Sequence, residues 1–282
     1  MWEKRSRLIF LSSMVLSGAL FIQMGLYLLH VVSGWDVKYN VIELCSSVVV
    51  HFGFKGMGYL LNVLVFHAFL YSIWYCGRQL VLSNQFYKKL LHLRDEALAE
   101  ELNRSYCGGK PLIVVIRTTV PMAFAMGLVK SRIVLSTGLM ELLDPQELQA
   151  VVYHERYHQK HGDPLKTFLL SLLSSVMWYI PILKSFQHNY KIIREVLADH
   201  YAIEQQGDSV HLGSALLKLL KKNAPAPMPF AHVSFTDTSV NLRIRRILEP
   251  QTDIPLKWPF TPAVISVKVL FVLCAMFVVV LH

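Results

Sequence analysis

Val151-Val152-Tyr153-His154-Glu155-Arg156-Tyr157-His158 is the stretch on which the reading of this chain turns. Its last five residues have the pattern H-E-x-x-H. Residues four apart on a helix lie about 40° apart around the axis and one turn up, so two imidazoles can reach one metal ion. The glutamate between them can hold a water beside that ion and take its proton. Apolar Leu148, Val151 and Val152 precede the motif and predict a sheltered helix face rather than a solvated one. Asp144-Pro145 supplies an N-cap followed by proline in the first turn. Gly162 ends the helix near His161, and Asp163-Pro164 reads as the cap of the next helix.

A catalytic zinc site takes three protein ligands and keeps its fourth position for water. The best third ligand is Glu195, in Glu195-Val196-Leu197-Ala198-Asp199, on a predicted amphipathic helix over 187–207. Asp199 follows one turn later on the same face. It can accept a hydrogen bond from a ligand histidine and fix its tautomer. The expected set is therefore His154, His158 and Glu195 on one catalytic Zn2+, with Glu155 as catalytic base and Asp199 behind the ligands. Helix termination accounts for His161 and Asp163, and His200 faces away from Glu195.

The surroundings of this motif point to a membrane. The chain is 54% hydrophobic, only 17% charged, and carries a formal net charge of +9. Soluble domains are closer to a quarter charged. The basic excess fits cytoplasmic flanks of membrane spans, and no zinc finger or dense basic helix suggests nucleic acid. The four cysteines are scattered without a C-x-x-C pair, so no disulfide framework or metal cluster is expected.

Residues 8–32 form an uncharged apolar run after Lys4, Arg5 and Arg7, long enough to span hydrocarbon. It reads as an uncleaved anchor. A second span is placed near 57–75 and is followed by Arg78, Lys88, Lys89 and Arg94; a last one lies at 263–281. A charged helix is expected over 84–103, and short β-rich segments at 112–116, 122–128 and 132–136 suggest a small sheet. The strand at 122–128 is either plain sheet structure or an edge on which an extended substrate could pair. Residues 223–229 form a proline-rich linker, and 243–248 a short basic helix.

A third apolar run, 165–186, separates His154 from Glu195. Both must touch one ion, so an even number of crossings separates them. The run is therefore expected to be a re-entrant hairpin broken near Pro181, or an interfacial helix. The architecture expected is an α-helical membrane protein with an embedded α+β domain. It has an N-terminal anchor of two transmembrane helices over 1–78, the metal-bearing domain over 79–260, and a C-terminal transmembrane helix over 261–282. The N-terminus and active site are expected on the cytoplasmic side of a bacterial plasma membrane.

The H-E-R-Y-H and E-V-L-A-D segments match the H-E-x-x-H plus E-x-x-x-D pattern of gluzincin membrane proteases. Together with Pro121-Met122-Ala123-Phe124-Ala125-Met126-Gly127-Leu128 and Arg132-Ile133-Val134-Leu135-Ser136-Thr137-Gly138-Leu139, they resemble the BlaR/MecR-type membrane metallopeptidases. Arg243-Ile244 with Ile247-Leu248 is similar to a further element of that family and of HtpX-type proteases. The resemblance covers about 87–250. It implies a gluzincin-like fold, zinc, and the roles given above to His154, Glu155, His158, Glu195 and Asp199. BlaR and MecR proteins carry a penicillin-binding sensor domain after the last span. This chain ends at that span, so antibiotic sensing by the chain itself is not expected. The His-Pro often found before the Arg-Ile element of HtpX-type proteases is here Thr236-Asp237-Thr238-Ser239.

The function expected is zinc endopeptidase activity in regulated proteolysis. Membrane-protein quality control and a non-catalytic receptor scaffold are the alternatives. Expected partners are a protein substrate, with a cytoplasmic repressor as the candidate, the lipid bilayer, and a second copy of the chain in a homodimer. Direct nucleic-acid binding is not expected.

Overall fold

The structure is a computed structural model that describes residues 2–34, 55–222, 233–234, 240–248 and 259–278. The 223–229 linker, nearly all of the 33–40 loop and residues 236–239 lie outside the described residues. The chain divides into two compact units. One comprises 1–6, 78–169 and 188–256, and the other 7–77, 170–187 and 257–282.

The first unit carries a four-stranded sheet, β1 (Ile113–Ile116), β2 (Ala123–Met126), β3 (Arg132–Ser136) and β4 (Val233–Ser234), in the order β1-β3-β2-β4. β1 runs parallel to β3. β2 is antiparallel to β3, with Met126 opposite Arg132. The sequence leaves open whether β2 is plain sheet structure or an edge; the structure places it inside the sheet, because β4 pairs antiparallel along its other side. The strands lack alternation because both faces are covered. Ile113, Val115, Ile133 and Leu135 pack with Ala150, Val151, Leu212 and Leu216 on one face. Val114, Ile116, Phe124, Met126 and Val134 pack with Leu90 and Phe86 on the other.

Helix α1 spans Trp2–Ser33, α2 Lys55–His92 and α3 Glu96–Cys107. The single helix expected over 84–103 is thus broken. The Asp95 backbone N–H donates to the Val115 carbonyl, and its carboxylate accepts from Leu98 N–H as the α3 N-cap. Next come α4 (Thr137–Leu142), α5 (Pro145–His161), α6 (Asp163–Val176), α7 (Pro181–Gln206), α8 (Val210–Lys221) and α9 (Val240–Leu248). The motif helix α5 is bounded as its sequence dictates. Asp144 and Glu147 form a reciprocal capping box, and Pro145 sits in the first turn. Gly162 closes the helix in the left-handed region at φ 62°.

The second unit gathers the apolar helices, including α10 (Phe260–Val278). Met24 and Tyr27 of α1 and Val65 and Ala68 of α2 share one core with Val176, Met177, Ile180 and Leu183. The 165–186 run is not one helix. It bends through 177–180, and α7 starts at Pro181, which lacks the N–H that a continuing helix would need. Ile182 N–H donates to Ser266 Oγ of α10 at 3.0 Å. Among the described residues one helix, over Trp2–Leu29, is long and apolar enough to cross a membrane; Phe260–Leu270 is a shorter apolar segment.

Candidate metal centre

Helix α5 presents His154 and His158 on one buried face, and α7 brings Glu195 to them. Ligand atoms of the three side chains all lie within 4.8 Å of one another. His158 Nε2 is 3.2 Å from His154 Nε2. Glu195 reaches both rings, Oε2 at 3.5 Å from His154 Nε2 and Oε1 at 3.4 Å from His158 Nε2. The four-residue spacing predicted from sequence therefore meets in space with the carboxylate from the downstream helix.

The far nitrogen of each ring is held by a carboxylate. His154 Nδ1 is 2.9 Å from Asp199 Oδ1, and His158 Nδ1 is 2.8 Å from Asp163 Oδ2. Such partners fix the tautomer and turn Nε2 toward the centre. Asp199 occupies the position its spacing implies. Asp163 does more than the sequence credits. It is fully buried and accepts from Arg194 Nε at 2.8 Å, so it anchors a ring rather than only starting a helix. Asp163→Asn should lower metal affinity about 10–100-fold, measured by competition with a chelator.

Arg243 of α9 is the other residue whose place the sequence does not reveal. It is fully buried. Its Nε and Nη2 donate to Asp199 at 2.8 and 2.7 Å in a bidentate fork. Its Nη1 lies 3.1 Å from Glu195 Oε2. One signal was available: Arg243 lies four residues before Ile247, which is also buried, and so shares the apolar face of α9.

These neighbours set the protonation of the site. Burial alone would raise the Glu195 and Asp199 carboxyls. The Arg243 guanidinium, with the histidines, instead holds both below their usual range. Burial would lower His158, but Asp163 and Glu195 outweigh it and push it up to about 10. Glu155 is fully buried, and burial pushes it up to about 7 against the pull of His154 and His158. Among the described residues neither of its carboxylate oxygens has a hydrogen-bond partner.

The donor set fits a metal ion. Two imidazole nitrogens and one carboxylate converge in a buried pocket, with both imidazoles oriented from behind. Four carboxylates (Glu155, Asp163, Glu195, Asp199) face two guanidiniums (Arg194, Arg243), which leaves an anionic centre. A cation there balances the charge and removes the need for a second proton on His158.

Comparison with known proteins agrees with this geometry. The chain is 29% identical over 157 residues to a protease HtpX homolog of Methanothermobacter thermautotrophicus, covering 47% of this chain and 61% of that one. It is 45% identical over 73 residues to the protease HtpX homolog 2 of Methanosarcina mazei, 25% of each chain. The regulatory protein BlaR1 of Bacillus licheniformis is 26% identical over 140 residues, 48% of this chain and 23% of that one. The chain thus spans between a quarter and about three fifths of the length of the first two relatives. The profile of the BlaR1 peptidase M56 family matches residues 47–248, most of the chain and all of the metal centre. The chain belongs to the BlaR1 peptidase M56 family.

Proposed function

We propose that this chain is a membrane-held zinc endopeptidase that cuts a cytoplasmic or membrane protein in regulated proteolysis. The observation that carries the reading is the buried convergence of His154, His158 and Glu195 beside a Glu155 carboxylate that has no hydrogen-bond partner among the described residues. A zinc ion suits two imidazoles and a carboxylate, and when bound it supplies Lewis acidity to polarise a peptide carbonyl and acidify water. Glu155 takes the proton of the attacking water and returns it to the departing amine nitrogen. Its apolar burial keeps its basicity near the working pH. Asp163 and Asp199 keep the two rings aimed, and Arg243 keeps Asp199 and Glu195 ionised.

Substrate binding is assigned to β2, which packs against α5. An extended peptide pairs with a strand through main-chain hydrogen bonds. Here the chain's own β4 takes that side of β2, so a substrate strand must displace it. This arrangement favours a protease that is quiet until triggered, in keeping with a regulatory role.

The membrane arrangement belongs to the same reading. Spans at 8–32, 57–75 and 263–281 hold the domain at the membrane, and basic flanks at Lys4, Arg5, Arg7 and Arg78 place it on the cytoplasmic side. The bent 165–186 segment enters and returns. Residues 165–169 belong to the metal-bearing unit and 170–187 to the unit of apolar helices, and the chain is back in the metal-bearing unit from 188, which supports a re-entrant hairpin.

Quality control is the second reading, favoured by the similarity to several HtpX homologs. Trapping with Glu155→Gln, followed by identification of the proteins retained, tests both. Retention of one or a few cytoplasmic regulators supports regulation. Retention of misfolded membrane proteins alone removes it.

A further inference from the structure

The far end of the β2–β3 hairpin, away from any ligand of the metal, forms a cavity of about 320 Å³ with α2. Its lining includes Ser83, Asn84 and Tyr87 of α2, and Gly127, Lys130 and Arg132 of the hairpin. Among the described residues no acidic side chain lines it. Arg132 stacks over the Tyr87 ring at 5.3 Å and donates from Nη1 to the Tyr87 hydroxyl. Among the described residues neither Arg132 nor Lys130 pairs with a carboxylate. Two cations, two small polar side chains and a phenol around an unfilled space match a phosphate.

The cavity is built rather than loose. Gly127 adopts φ +104°, and a Cβ there would come within 2.5 Å of the Lys130 carbonyl, so the turn is tight. Gln159 of α5 donates to the Ser131 carbonyl at 3.3 Å and ties the turn to the motif helix.

Its position along α2 selects the source of the phosphate. Exposed apolar side chains run along this helix from Val63 through Leu70 and Ile73 to Trp74; exposed Arg78, the basic flank of the span, comes next, and Ser83 and Asn84 follow less than two turns later. At about 1.5 Å per residue, Asn84 lies roughly 9 Å beyond Arg78, at the outer edge of the headgroup layer beside the hydrocarbon. Val129, at the tip of the turn next to Lys130, is 93% exposed, as a side chain that enters a membrane surface would be in its absence. We propose that the cavity takes the phosphate headgroup of an anionic membrane lipid. The proposal rests on the membrane anchoring given above.

The test uses the full chain in detergent, titrated with phosphatidylglycerol and, separately, with phosphatidylcholine, with bound lipid read by native mass spectrometry. A third arm adds glycerol phosphate as a soluble competitor. Wild type should prefer phosphatidylglycerol. Lys130→Gln, on the exposed turn, should weaken that preference about fivefold, in line with the share of one surface cation. Lys130→Gln with Arg132→Gln should weaken it further while the metal content stays unchanged. An unchanged preference in both variants overturns the proposal. Displacement of the lipid by glycerol phosphate at equal concentration assigns the site to a soluble phosphate and also overturns it. Release of the chain from membranes by alkaline carbonate would instead remove the anchoring reading, and the lipid site with it.

Discussion

Glu155→Gln is expected to leave the metal in place and to cut peptide hydrolysis by about 10²–10⁴-fold. Among the described residues the glutamate makes no hydrogen bond and is not one of the converging donors, so the amide costs the centre no donor. What is lost is the proton acceptor. The amide nearly matches the carboxylate in shape, so it introduces no cavity. It also removes a buried, unpartnered carboxylate, so stability should hold or rise. Hydrolysis of a denatured casein or a quenched peptide, with metal content measured on the same sample, separates the two effects. Residual turnover within a factor of a few of wild type would mean that another group takes the proton.

Arg243→Met should destabilise the metal-bearing unit by about 3–5 kcal/mol, the cost of leaving one side of a buried ion pair unmatched. Methionine fills part of the volume, so the loss is chiefly electrostatic. Asp199 and Glu195 would each keep a buried charge without its principal partner. Each carboxyl would then rise toward protonation, Asp199 would hold His154 less firmly, and metal affinity would fall as well. Arg243→Lys keeps a charge but loses the two-pronged contact made by Nε and Nη2 to Asp199, so it should fall between wild type and methionine. Thermal unfolding with and without added zinc reads both terms. Zinc should recover part of the lost stability in Arg243→Met, because a divalent cation answers the same two carboxylates. Wild-type stability in that variant would contradict the network described here.

Much of the centre was legible because helices convert spacing into geometry. His154 and His158 are four apart, Glu195 and Asp199 are four apart, and each pair lands on one face of one helix. Caps were equally plain, since Asp144-Pro145 and Gly162 act within a few residues of themselves. The long-range partners were not. Asp163 follows a helix terminus, where an aspartate is expected for local reasons, and nothing in its neighbours shows that it also meets His158 and Arg194. Arg243 sits among Arg245 and Arg246 in what reads as a basic surface helix, yet it alone of the three is fully buried. The break between α2 and α3 depends on Asp95 bonding to β1, a contact between segments whose pairing the helical periodicity does not encode. The place of β2 depends on a two-residue partner more than a hundred positions away, too short to leave a pattern of its own.

The central claim is that His154, His158 and Glu195 together hold one zinc ion and that Glu155 does not. Metal analysis of the purified full chain, beside His154→Ala, His158→Ala, Glu195→Ala and Glu155→Gln, tests it directly. The account predicts one zinc per chain in wild type and in Glu155→Gln, and loss of zinc in the other three. Full zinc occupancy in Glu195→Ala, or loss of zinc in Glu155→Gln, would contradict it.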